Sequence, residues 1–191
     1  MGTKKTYITA DEFLRDSWRL AHAVRTSGWR PDVVVALWRG GAMPGVAMHE
    51  FLRATGWDVR HFPVKCSSYT GIGENAGDVV FSGDSSVFSS LKASEKVLVV
   101  DDVFDTGKTA AAVRTKMSVV GAEMRLACVY WKASGKSTGL PPEYYVRKTG
   151  NEWIVFPHEI DGLAADEVAE KDSALAGLLA DALATGQAPS A

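Results

Sequence analysis

The sequence predicts an α/β fold in which a mainly parallel sheet is flanked by helices. The first observation is that predicted strands near 32–37, 58–66, 78–82, 96–101, 124–130 and 143–147 alternate with predicted helices near 10–27, 44–55 and 107–119. The second is the uninterrupted apolar run from Val97 to Val100, which is typical of a strand covered on both faces. The third is that 191 residues with 46% hydrophobic content suffice for one full-sized core.

The first helix is predicted from its start signal and its apolar spacing. Thr9 is a suitable N-cap, and the helix from Ala10 to Ser27 presents Phe13, Trp18, Leu20 and Val24 on a ragged apolar face. We therefore expect this face to lie against the core.

The first strand, Val33 to Leu37, ends in a turn suited to ligand binding. Arg39, Gly40 and Gly41 follow it, and a helix is predicted to begin near Pro44. The two glycines allow the backbone to approach a ligand, and the arginine supplies a permanent charge with several donors. An ordinary tight strand-to-helix turn is the alternative for this segment taken alone.

Ser67, Ser68 and Tyr69 begin a segment that continues as TGIGENAGD. It has four glycines from Gly71 to Gly83 and no apolar period, which predicts a mobile loop between strands. An ordinary long hairpin loop is the alternative.

Residues 97–110, VLVVDDVFDTGKTA, carry the strongest functional signal. Asp101 and Asp102 stand at the carboxyl end of the strand, where open α/β sheets bind ligands. The turn Asp105–Thr109 then leads into a predicted helix, so that backbone N–H groups and a positive helix end meet at one point. Helix capping by Asp105 or Thr106 is the alternative for single residues, and the spacing of a Walker A loop is absent.

This string resembles the 5-phosphoribosyl-1-pyrophosphate (PRPP) signature of the type I phosphoribosyltransferases. The resemblance implies the single-domain fold of that family, with a mobile loop and a small base-binding hood. It also implies that Arg39, Gly40 and Gly41 form the pyrophosphate loop, with a non-proline cis peptide between Trp38 and Arg39.

The resemblance assigns further roles to the two acidic segments. Asp101 and Asp102 would contact the ribose and Mg²⁺, the metal either directly or through water. The 5-phosphate would bind at Asp105, Thr106, Gly107, Lys108 and Thr109. Asp105 is the candidate general acid/base near purine N7, and proton transfer and electrostatic stabilisation both stay open for it. Ser68 and Tyr69 would belong to a loop that closes over PRPP and excludes water.

The base segment resembles that of the 6-oxopurine (xanthine-guanine and hypoxanthine-guanine) enzymes. Lys132 would donate to the purine 6-oxo group, Trp153 would stack on the ring, and the backbone at Ile154 would read the purine edge. Glu159 stands where the xanthine-guanine enzymes have an acidic residue, and it is a candidate for the base or metal region.

Two departures concern the choice of base. Lys108 gives DTGKT, as in the hypoxanthine-guanine branch, whereas the segment WIVFPHE is more similar to the xanthine-guanine branch. His158 replaces a residue that is commonly aromatic in that branch. The preferred 6-oxopurine therefore stays open at this point.

The remaining sequence limits the other possibilities. We expect a phosphoribosyltransferase domain over 1–160 and a C-terminal helical tail over 161–191 that is not an independent domain. A net charge of −2 argues against nucleic-acid binding. No apolar run reaches membrane-spanning length, so we expect a cytoplasmic protein. The spacings of the four histidines and two cysteines indicate no zinc site, and we expect no disulfide.

Together these observations predict an enzyme that uses Mg²⁺ and PRPP to make a purine nucleotide in purine salvage. One alternative is a PRPP-sensing regulator of the same fold, and another is a phosphoribosyltransferase for a different nucleobase. By resemblance, we expect a homodimer or homotetramer.

Overall fold

The structure is a computed structural model that describes residues 5–68, 79–81, 86–133 and 139–185. Its strands are β1 (Lys5–Tyr7), β2 (Val33–Trp38), β3 (Arg60–Ser68), β4 (Val79–Phe81), β5 (Lys96–Phe104), β6 (Glu123–Lys132), β7 (Tyr144–Thr149) and β8 (Trp153–Val155). Its helices are α1 (Ala10–Thr26), α2 (Ala42–Ala54), α3 (Ser86–Ser90), α4 (Lys108–Val120), α5 (Ala165–Lys171) and α6 (Ser173–Ala184).

The main sheet has six strands in the order β4-β3-β2-β5-β6-β7. All neighbouring pairs are parallel except β3 and β4, which are antiparallel. A separate parallel pair joins β1 to β8. The predicted α/β fold with a mainly parallel sheet is therefore confirmed.

Alternate residues of the central strands face two hydrophobic clusters on opposite sides of the main sheet. Val34 and Leu98 belong to the cluster that includes residues of α1 and α2. Val33 and Val97 belong to the other cluster, which includes residues of α4. Burial on both faces explains the unbroken apolar run of β5, because a strand covered on both sides has no solvent-facing position.

Helix α1 begins as predicted, but its buried face differs from the prediction. The Thr9 side chain accepts a hydrogen bond from the Glu12 N–H at 3.2 Å. Trp18, expected on the apolar face, is 43% exposed, whereas Asp16 is fully buried. The Asp16 carboxylate accepts hydrogen bonds from Arg147 at 2.5 Å and Arg19 at 2.6 Å. These two cations compensate the burial of a charge that the apolar spacing could not place.

The structure contains elements that the sequence did not predict. β1 and β8 have three residues each and α3 has five, which is too short for a periodic pattern to be detected. The C-terminal segment forms two helices, where we expected one. Asp172 separates them because its backbone is extended and its side chain caps α6, accepting from the N–H groups of Ala174 and Leu175. In the part of the chain described, no helix is long and apolar enough to cross a membrane.

Candidate active site

The two loops with the strongest sequence signals lie side by side at the carboxyl edge of the main sheet. β2 and β5 are neighbours, and the chain reverses its direction of strand addition between them. The loop after β2 and the end of β5 therefore meet at the topological switch point, where sheets of this class bind ligands.

The loop after β2 is in close contact with the end of β5. A Cβ atom added to Gly40 would overlap the Asp102 carboxylate, and one added to Gly41 would overlap the Val100 carbonyl oxygen. Both positions therefore require glycine for this close approach. The peptide between Trp38 and Arg39 is cis, as predicted.

Asp101 and Asp102 lie in the last part of β5 rather than after it. Asp102 is 8% exposed, and its Oδ1 accepts from the Val103 N–H at 2.6 Å. Burial and the neighbouring Asp102 charge raise the pKa of Asp101 well above its ordinary value. The pair therefore favours a cation or hydroxyl donors close to it.

The turn after β5 and the start of α4 form one wall of a cavity of about 220 Å³. Asp105, Thr106, Gly107 and Thr109 line it together with Asp101 and Asp102. Gly107, with φ +81°, is the N-cap of α4 and has no side chain to cap it, whereas the Thr106 Oγ1 accepts from the Lys108 N–H at 3.4 Å. Gly107 therefore takes the N-cap position considered for Asp105 or Thr106, although the Thr106 hydroxyl still contacts the first N–H of the helix. The helix end faces a cavity that suits an anion. Lys108, the remaining member of the predicted turn, is exposed.

The structure brings Lys132 and Asp105 together. The Lys132 Nζ donates to the Asp105 Oδ2 at 3.1 Å, and the Lys132 side chain is 15% exposed. Their contact follows from the strand register, since Phe104 of β5 pairs with Trp131 of β6. Lys132 is thus held at the carboxyl edge of the sheet instead of being a solvated surface lysine.

The other two predicted base-binding residues lie in β8. Trp153 is 57% exposed, whereas the Ile154 side chain belongs to the core. β8 pairs only with β1 among the described strands, so this small two-stranded unit stands apart from the main sheet. An exposed indole on such a unit is available for stacking.

The turn after β8 reaches the same edge of the sheet. His158 and Glu159 line a cavity of about 590 Å³ together with Arg39, Gly40 and Asp102. The His158 Nε2 is 3.5 Å from the Asp102 Oδ2, and its ring stacks on Phe156 with an angle of 8° between the planes. Sequence reasoning noted His158 only as a departure from an aromatic, and no local pattern pointed to its contact with Asp102.

Two predicted catalytic residues are not characterised by the structure. Tyr69 lies outside the described residues, as does the rest of the predicted mobile loop up to residue 78. Ser68 is the last residue of β3, but the description does not extend to its side chain. Their roles therefore stay predictions.

Comparison with known proteins decides the family. The model of the phosphoribosyl transferase domain matches residues 6–163. The chain belongs to the phosphoribosyltransferase family. The resemblance predicted from the sequence is confirmed, and the chain is a phosphoribosyltransferase in fold and enzyme class.

Solved structures agree with this assignment. A purine phosphoribosyltransferase from Pyrococcus horikoshii is 32% identical, with 84% of this chain and 97% of that chain covered at a TM-score of 0.67. A xanthine-guanine-hypoxanthine phosphoribosyltransferase from Helicobacter pylori is 23% identical, with 82% and 95% covered and a TM-score of 0.63. A hypothetical protein from Neisseria gonorrhoeae with bound ppGpp is 22% identical, with 91% and 98% covered and a TM-score of 0.71. The last two likenesses show the shared fold.

Proposed function

We propose that this phosphoribosyltransferase transfers the 5-phosphoribosyl group from PRPP to N9 of a 6-oxopurine and releases pyrophosphate. The product is a purine nucleotide, which places the enzyme in purine salvage. The Pyrococcus horikoshii relative, a purine phosphoribosyltransferase that is 32% identical, supports a purine substrate.

The observation that carries the proposal is the contact between Lys132 and Asp105. An ammonium group donates to the 6-oxo oxygen of guanine, hypoxanthine or xanthine, whereas it opposes the amino group of adenine. Asp105, 3.1 Å from it, can face the neighbouring N7 of the same purine ring. One hydrogen bond from a charged donor is worth about 1.5–3 kcal/mol, so Lys132 supplies on the order of 10- to 100-fold preference for a 6-oxopurine.

The other residues stabilise the charges that develop on the ribose and the pyrophosphate during transfer. Positive charge grows on the ribose as its bond to pyrophosphate breaks, and negative charge grows on the pyrophosphate. Arg39 and the backbone of Gly40 and Gly41 bind the pyrophosphate, and the 590 Å³ cavity that Arg39 and Gly40 line gives it room. The start of α4 and the turn before it bind the 5-phosphate, and Trp153 stacks on the base.

The carboxylates fit a Mg²⁺ ion that arrives with PRPP. No group of three or more His, Cys, Asp or Glu side chains in the described part of the chain is arranged to hold a metal. Asp101 and Asp102 would supply oxygen ligands, and Glu159 lines the 590 Å³ cavity together with Asp102, with one oxygen accepting from the Phe156 N–H. Mg²⁺ usually combines one or two carboxylates with water and substrate phosphates, which matches this donor set. Bound there, it supplies charge neutralisation at the pyrophosphate.

The test is nucleotide formation from PRPP and Mg²⁺ with guanine, hypoxanthine, xanthine, adenine, uracil and orotate offered separately. We expect turnover with 6-oxopurines and little with the other bases. Lys132→Met should reduce this preference, whereas Lys148→Met, which removes another lysine from the adjacent strand, should retain it. A preference for adenine or orotate would contradict the proposal, and tight PRPP binding without any turnover would favour the regulator.

We also propose a homodimer or homotetramer in the cytoplasm. Val46 of α2 is 68% exposed, and Trp38, which lines the same surface cavity, is 51% exposed. This apolar surface supports self-association. Sedimentation velocity tests it, because a monomer at the working concentration of the enzyme would contradict the proposed assembly.

A further inference from the structure

Helix α5 lies beyond the region matched by the family model, which ends at residue 163, yet it is attached to the domain at two points. Glu167 forms an ion pair with Lys5 of β1, and Val168 is buried at 5% exposure. The Ala164 N–H also donates to Glu167 at 2.9 Å, which fixes the start of the helix. The helix is therefore part of the folded domain and not a loose extension.

The last residue of α5 binds the turn that follows β8. The Lys171 Nζ donates to the Phe156 carbonyl oxygen at 2.7 Å and also to the Glu159 carbonyl oxygen. The Glu159 N–H donates to the same Phe156 carbonyl at 3.0 Å, and the Phe156 N–H donates to the Glu159 Oε2 at 2.9 Å. One ammonium group thus joins both ends of the turn from Phe156 to Glu159.

This turn carries side chains that line the cavity assigned to pyrophosphate. His158 faces Asp102, with 3.5 Å between Nε2 and Oδ2, and Glu159 lies on the same cavity wall. The centroid of the His158 ring is also 6.0 Å from that of Phe13, so the ring contacts two aromatic side chains. The position of both side chains depends on the path of the backbone from residue 156 to residue 159.

We propose that Lys171 is a positioning residue of the phosphoribosyl transfer site. It fixes the turn that presents His158 and Glu159 to Asp102 and to the pyrophosphate of PRPP. The inference rests on the proposed function for its catalytic consequence, whereas its effect on PRPP binding rests only on membership of the family. Trp153 and Ile154 pair with Lys5 and Thr6 of β1, and the contact of β1 with α5 is made by Glu167 rather than by Lys171. Lys171 should therefore affect PRPP more than the purine.

The test compares Lys171→Met, Lys171→Arg and Glu170→Gln with the wild-type protein. Methionine keeps the apolar length of the side chain and removes the donors, and Glu170→Gln changes an exposed neighbour. Calorimetry should show that Lys171→Met weakens PRPP binding about tenfold in the presence of Mg²⁺, which corresponds to about 1.4 kcal/mol. Lys171→Arg should regain affinity to within about threefold of wild type, since a guanidinium group can also donate to two carbonyls. Glu170→Gln should bind as wild type.

Kinetics and amide exchange separate positioning from general stability. With guanine or hypoxanthine, Lys171→Met should raise the KM for PRPP while the purine KM changes by less than about twofold. Amide hydrogen exchange at Glu159 should accelerate in this variant at an unchanged Tm of the domain. Equal rises in both KM values, or unchanged PRPP affinity, would overturn the inference. A wild-type protein that binds PRPP without using any 6-oxopurine would instead overturn the proposed function, and the calorimetry would still decide the role of Lys171.

Discussion

The substitution Gly40→Ala tests the close contact between the loop after β2 and the end of β5. The added Cβ would lie 2.6 Å from the Asp102 Oδ1 and closer still to Oδ2 and Cγ, whereas ordinary Cβ contacts lie at 3.4–4 Å. Asp102 cannot move away easily, because its Oδ1 accepts from the Val103 N–H and its side chain is 11% exposed. The loop with Arg39 must therefore shift into the cavity.

The size of the effect follows from the size of this overlap. Relief of the contact requires a movement of about 1 Å, and a misplacement of that size in a site costs on the order of 100-fold in rate. We therefore expect kcat/KM for PRPP to fall about 100-fold, equivalent to about 2.7 kcal/mol of transition-state stabilisation.

The assay is steady-state nucleotide formation with PRPP varied, alongside thermal unfolding. Gly177→Ala is the matched control, because Gly177 lies in α6 with nothing within 4 Å of an added Cβ. It should leave kcat/KM unchanged and raise helix stability slightly. A second comparison is Gly45→Ala, whose Cβ would lie 2.5 Å from the Ala36 Cβ in the contact of α2 with β2. It should lower stability by about 1–3 kcal/mol. Activity of Gly40→Ala within about threefold of wild type would refute the reasoning.

Three further variants test the assigned roles. Asp105→Asn keeps an acceptor for Lys132 but removes the charge, so turnover should fall far more than PRPP affinity; near-normal turnover would remove Asp105 from the chemical step. Trp153→Ala should raise the purine KM with little effect on the PRPP KM, and an unchanged purine KM would mean that another residue stacks. Tyr130→Phe tests the effect of burying the Tyr130 hydroxyl. Burial raises the pKa of Tyr130 from 10.0 to about 12. The neutral side chain therefore contributes stability below pH 10, and this contribution is lost as the pH rises towards 12. Urea unfolding of the variant should lose less stability over that interval than wild type, and an equal loss would contradict this assignment.

The sequence predicted those parts of the site that are continuous along the chain. The acid pair at the end of β5, the turn before α4 and the loop after β2 each depend on the order of neighbouring residues. An apolar strand followed by acidic residues, glycines and a helix start has few other interpretations, because the backbone conformation and the charges that a ligand site needs occur in the same short segment. The same continuity allowed the cis peptide between Trp38 and Arg39 to be predicted through the family resemblance.

Short elements and buried charges were less accessible from the sequence. β1 and β8 pair with each other although they lie near opposite ends of the domain sequence. A strand of three residues has too short a pattern for such a pair to be predicted. Asp16 is buried and Trp18 is exposed, the reverse of what their hydropathy suggests. Asp16 can be buried because Arg147, far along the chain, lies next to it. An amphipathic pattern ranks residues by hydropathy and does not include such a partner.

The sequence by itself determined the fold class and the family, and it located the segments that we propose to bind anions, since these follow from local patterns and from motif order. Only the tertiary structure decided which distant side chains are in contact: Lys132 with Asp105, His158 with Asp102, and Lys171 with the turn after β8. Strand register brings the first pair together, and contacts between separate elements produce the others. Such contacts depend on the fold of the whole chain, because each partner alone is an ordinary polar residue.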